Sequence, residues 1–93
     1  MNRMEELNTK LIQLFHEYLQ ERPELLDQIP DDAVLVMQLH GDEVFNRWSR
    51  KISEEEGQEG WPVVYVEIAL KPQGAKVLTV QAIEKLELQP IRL

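Results

Sequence analysis

The run Val34-Leu35-Val36-Met37-Gln38-Leu39 is apolar at both parities, with Gln38 the only interruption. A strand with one wet face alternates apolar and polar residues; this one does not. A run this short, with Pro30-Asp31-Asp32 before it and His40-Gly41 after it, reads as a strand covered on both faces. The rest of the chain must therefore supply a layer on each side of it. With 93 residues there is material for one such core, since two halves would each be too small to bury their own. The expectation is a single α+β domain over residues 1–93: two N-terminal helices, then strand, helix, strand, strand.

Met4, Leu7, Leu11, Leu14, Phe15, Tyr18 and Leu19 recur at spacings of three and four, the stripe of an amphipathic helix. Glu5, Asn8, Gln13, Glu17 and Gln20 form its wet side, and Pro23 ends it by disfavouring helical geometry at Arg22. Pro23 then suits the first position of a short second helix holding Leu25, Leu26 and Ile29, which Pro30 stops.

After the apolar strand, Asp42 is placed to cap a helix whose apolar side is Val44, Phe45, Trp48 and Ile52, with Arg47, Arg50 and Lys51 on the other side. The acidic segment Glu54 to Gly60 reads as a loop. From Pro62 to Leu70, Val64, Val66, Ile68 and Leu70 alternate with Val63, Tyr65, Glu67 and Ala69, a strand with one greasier face. Lys71-Pro72-Gln73-Gly74 is a turn, and the returning arm sets Leu78, Val80, Ala82, Leu86 and Leu88 on one face, with a bend near Ala82 to Lys85. Val80 to Leu88 also tolerates a helix.

A strand, helix, strand unit crosses over right-handedly and makes its strands parallel, and the hairpin arm is antiparallel to its neighbour. The result is a three-stranded mixed sheet with a C-terminal hairpin. Whether the last strand is central or at the margin stays open. Cover for the first strand is expected from the two long helices on opposite faces or, failing that, from a second subunit.

The net charge of -7 opposes a nucleic-acid surface, whose affinity comes from Lys and Arg on phosphates, and favours a basic protein partner if any. No apolar run approaches the roughly 20 residues that span a bilayer, so no membrane role is expected. The absence of cysteine removes disulfides and thiolate chemistry and suits the cytoplasm.

Two histidines and four scattered glycines leave no phosphate loop and no nucleophile triad, so no catalytic residues and no cofactor are expected. His16, on the first helix without a second His at i+4, is a boundary residue. Asp31, Asp32, Asp42 and Glu43 are the acids from which a catalytic pair would come, and the sequence leaves their separation open. The one local cluster is His40, Asp42 and Glu43, where a strand ends and a helix begins. It is a ligand-binding candidate, for a divalent cation or an anion at the helix start. The bland account is that Asp42 caps, Gly41 turns, Glu43 favours the helix dipole and His40 is exposed.

Leu11, Phe15, Tyr18 and Leu19, then Pro23-Glu24-Leu25-Leu26-Asp27, then Ile29-Pro30-Asp31 and Ala33 resemble a family of short prokaryotic proteins of unknown function, over about the first third of the chain. In that family an opening helix leads through a P-E-[LF]-L-D-x-I-P turn into a short apolar strand. The resemblance implies a lineage and carries no activity. This chain departs from the family pattern at His40-Gly41-Asp42, where an acidic segment is usual.

The sequence thus points to a non-enzymatic interaction or regulatory protein; the alternative is a small-ligand or divalent-metal-binding protein using the His40 to Glu43 turn. A homodimer is expected, because the sheet leaves open margins and a broad apolar face, with Trp61, Leu78, Val80, Leu86 and Leu88 as interface candidates.

Overall fold

The computed structural model describes residues 2–57 and 60–83. Helix α1 (Arg3–Gln20) and the one-turn α2 (Pro23–Leu26) precede β1 (Val34–Leu39), α3 (Glu43–Glu56), β2 (Val63–Lys71) and β3 (Gly74–Ile83). The element order is the expected one, and the fold class is α+β.

Local chemistry accounts for the element ends. Asn2 caps α1 reciprocally with Glu5: its Oδ1 accepts from Glu5 N–H at 2.8 Å, and Glu5 Oε1 accepts from Asn2 N–H at 3.0 Å. At the far end Arg22 lies over the Tyr18 ring at 3.8 Å and donates to the Tyr18 carbonyl at 3.2 Å, which also accepts from Glu21 N–H at 3.3 Å. Pro23 then occupies the first turn of α2.

The sheet order is β1-β2-β3, so the last strand lies at the margin and β2 is central. β1 and β2 are parallel, with Leu35, Met37 and Leu39 opposite Val64, Val66 and Ile68. β2 and β3 are antiparallel and joined through Pro72-Gln73, with Lys71 opposite Gly74.

One face of the sheet holds the core. Met37, Val64, Val66 and Ile68 pack with Leu11, Phe15 and Leu19 of α1 and Phe45 of α3, all buried. α1 lies over this face, whereas α3 runs along the outer margin of β1: Phe45 enters the cluster on the α1 side, while Arg50 donates to Gln38, and Gln38 to the Asn46 carbonyl, on the other face. This corrects the placement of the two helices on opposite faces. The centre of β1 is nonetheless buried on both faces, since Val36 and Met37 are both buried and point oppositely.

Several other expectations are corrected. Val44 is 63 % exposed, because the buried side of α3 runs through Phe45, Asn46 and Ser49. Leu14 is half-buried at the rim of the stripe that Phe15 centres. The broad apolar face is narrower than the alternation implies: Leu70 is exposed at the hairpin end, and β3 carries an irregularity opposite Glu67 and Ile68. There Thr79 faces Glu67 and Val77 faces Ile68, so Leu78 is the extra residue and stands 39 % exposed. The described irregularity falls at Leu78; the expected bend near Ala82 to Lys85 runs past Ile83, and Glu84 and Lys85 lie outside the described residues, as do Leu86 and Leu88. β3 is a strand through Ile83, which settles the strand-or-helix alternative over Val80 to Ile83.

Candidate functional site

The His40 to Glu43 turn is built as a helix start. Gly41 has φ +87°, a conformation that side chains with a Cβ rarely adopt, and it swings the chain out of β1. Asp42 Oδ1 then accepts from Phe45 N–H at 3.0 Å, and Glu43 opens α3 where a carboxylate favours the helix dipole. His40 is directed elsewhere: its Nδ1 lies 3.1 Å from Glu67 Oε2 on β2. Among the described residues no group of three or more His, Asp or Glu is arranged to hold a cation. Asp31 and Asp32 stand before β1 and Asp42 and Glu43 after it, so the two acid pairs are separated by a six-residue strand, about 20 Å at 3.3 Å per residue. That is well beyond the separation at which two carboxyl groups flank one scissile bond.

A cap and a ligand predict different variants at Asp42. Asp42→Ala is expected to cost about 0.5–2 kcal/mol, and Asp42→Ser, which can still accept from Phe45 N–H, to recover most of it. Thermal melts decide between them: a serine variant as weak as the alanine one rules out the cap as the main role.

The face opposite the core carries a polar row that crosses all three strands. Gln38, Glu67 and Thr79 lie side by side in the register. Arg50 of α3 donates to Gln38 Oε1 at 3.0 Å, and Glu67 receives His40 on one oxygen and Thr79 Oγ1, at 3.4 Å, on the other. A cleft of about 330 Å³ opens over this row, between Glu43, Asn46, Tyr65 and Gln81. A second cleft, of about 290 Å³, lies between α1 and α3 and is lined by both tryptophans, Trp48 and the half-buried Trp61.

The two margins of the sheet are treated differently. At β1, Asn46 reaches from α3 to the outer backbone of the strand: its Oδ1 accepts from Leu39 N–H at 2.6 Å and its Nδ2 donates to Leu39 C=O at 3.0 Å. A carboxamide thus stands where the peptide group of a fourth strand would stand. Asn46 is 7 % exposed, and its burial favours these bonds over bonds to water. At β3 no described residue pairs with the outer backbone. Leu78 stands exposed on this strand, while Val80 is partly buried against the core.

Residues 3–81 match the model of a family of unknown function, DUF5647. The chain belongs to that family. No curated protein and no solved structure matches it. The DUF5647 match runs from the first residue of α1 to Gln81 in β3, well past the first third on which the resemblance rests. It therefore takes in the margin that Asn46 closes, the polar row and most of β3. Asn46 and the Glu67–Thr79 pair within the DUF5647 unit are missed by the sequence reading. Asn46 sits next to Phe45 on an amphipathic helix, where a polar residue reads as the start of the wet side, and nothing in the pattern says that it meets a strand.

Proposed function

We propose that this chain is a non-enzymatic interaction module that engages its partner by strand addition along the open side of β3. The contrast between the two sheet margins carries the reading. A strand edge is a recognition element in itself: main-chain hydrogen bonds supply affinity, and alternate side chains supply register. Proteins that do not use an edge guard it with a helix, a loop or charges. Here α3 guards β1 through Asn46, and β3 has no such cover among the described residues. The cytoplasm is the proposed setting, which the cysteine-free composition suits.

The test places lysines on the open edge. Leu78 and Gln81 are both exposed, so Leu78→Lys with Gln81→Lys leaves the core intact while opposing strand addition. A tagged wild-type chain is expected to retain a stoichiometric partner from a native extract, untagged copies of itself included, and the doubly substituted chain to lose it. A partner held equally by both baits rejects the reading.

A further inference from the structure

We infer that the strand added to β3 is the β3 of a second copy, antiparallel across a two-fold axis at Gln81, joining two three-stranded sheets into one of six strands. The inference rests on the strand-addition reading above and names its partner.

The first argument is where β3 is guarded. Two devices that protect an edge against pairing, a bulge and a lysine, both occur in its first half, as the extra residue Leu78 and as Lys76. Beyond them Thr79-Val80-Gln81-Ala82-Ile83 has no charge, no proline and no irregularity, and it is rich in β-branched residues. A five-residue strand is of ordinary length for a paired one. Pairing is thus obstructed over one half of β3 and permitted over the other.

The second argument is charge. The chain carries 17 acids and a net charge of -7, so two copies repel over most of their surfaces. The three strands hold one acid, Glu67, against two lysines, Lys71 and Lys76, and β3 has no acid at all. Glu67 lies on the central strand, with both oxygens already engaged by His40 and Thr79. Over Gly74 to Ile83 the edge of β3 is therefore a place where like-charged copies meet without opposing carboxylates. With the axis at Gln81, Lys76 lies five positions from it, so the two copies of Lys76 sit ten positions apart along the strands, about 33 Å. That is several Debye lengths at physiological salt, and their repulsion is screened.

The third argument is facing. In this register each position meets one of the same parity: position 79 meets 83, and position 80 meets 82. The core-facing side of one sheet then continues into the core-facing side of the other, and the α1 helices of both copies lie on one side. The polar row running through Gln38, Glu67 and Thr79 continues on the opposite side into its copy, so each side of the joined sheet keeps the character it has in one chain.

Light scattering at micromolar concentration tests this, with the wild type, the Leu78→Lys, Gln81→Lys chain, and a Val44→Lys chain altered at the exposed residue on α3. The expected result is twice the 10.9 kDa chain mass for the wild type and for Val44→Lys, and the single-chain mass for the β3 variant. A wild type at single-chain mass overturns self-pairing; the strand-addition reading then stands or falls with the extract experiment, in which the partner must be a different protein. A dimer that survives the β3 lysines, or that Val44→Lys breaks, is joined elsewhere and overturns the inference.

Discussion

Replacing Phe15 by Ala is expected to remove about 3–5 kcal/mol of stability, the range for truncating a buried aromatic. A domain of 93 residues has about 5–14 kcal/mol in total, so the variant sits close to its unfolding threshold. The reason lies in position. Phe15 is fully buried between Leu11 and Leu19 on α1, against the sheet residues Met37, Val64, Val66 and Ile68 and against Phe45. It belongs to a buried cluster drawn from both long helices and from β1 and β2, so the space that its ring leaves is bounded by several elements. Urea denaturation is expected to show a midpoint lowered by on the order of 1–3 M, with the slope little changed. Leu14→Ala is the internal comparison: Leu14 is half-buried, and about 1–2 kcal/mol is expected for it. Equal losses at Leu14 and Phe15 would mean that α1 is rotated from the orientation described.

Asn46→Ala is expected to cost about 2–4 kcal/mol, more than its small volume change implies. The substitution leaves Leu39 N–H and C=O without their partners at a part-buried site, and each unmet group carries a desolvation penalty. Asn46→Asp separates the two bonds. Its carboxylate still accepts from Leu39 N–H, but the second oxygen faces Leu39 C=O, acceptor against acceptor. That contact and burial raise the variant's carboxyl pKa in the folded state above its unfolded value of about 3.9. The folded variant then holds its proton more tightly, so its stability relative to wild type is best below about pH 4 and falls as pH rises toward neutrality. Asn46→Ala, which has no titrating group, keeps a constant deficit over the same range. Denaturation midpoints of the three chains at acid and neutral pH check this; parallel curves for the Asp and Ala variants would show that the Leu39 contact is not two-pointed.

The elements themselves were legible because each is written in local chemistry. The three-and-four spacing of Leu11, Phe15 and Leu19 names a helix whatever lies beneath it, and Pro23 and Pro30 stop helices by geometry alone. Gly41 and Asp42 mark the start of α3 because a turn and a cap are short-range demands, and both are met as read. The alternation of Val64, Val66 and Ile68 names a strand and its dry face.

What escaped the sequence depends on which elements meet. Periodicity says that Leu78 and Val80 share a face; one extra residue in the ladder moved Leu78 out and brought Val77 in, and that residue is visible only against the partner strand. Val44 completes an apolar stripe on paper, yet α3 is rolled so that Phe45 and Asn46 face inward, because the helix must fill the core with one and close the margin of β1 with the other. The polar row reads the same way: Gln38, Glu67 and Thr79 are far apart in the chain and become neighbours through strand order alone. By itself the sequence determined the helices, the strands, their turns and the acidic, cysteine-free surface, since these follow from each residue and its near neighbours. Only the tertiary structure decided where the two long helices sit against the sheet, which strand is central and which margin Asn46 closes, because those depend on long-range packing that no local pattern encodes.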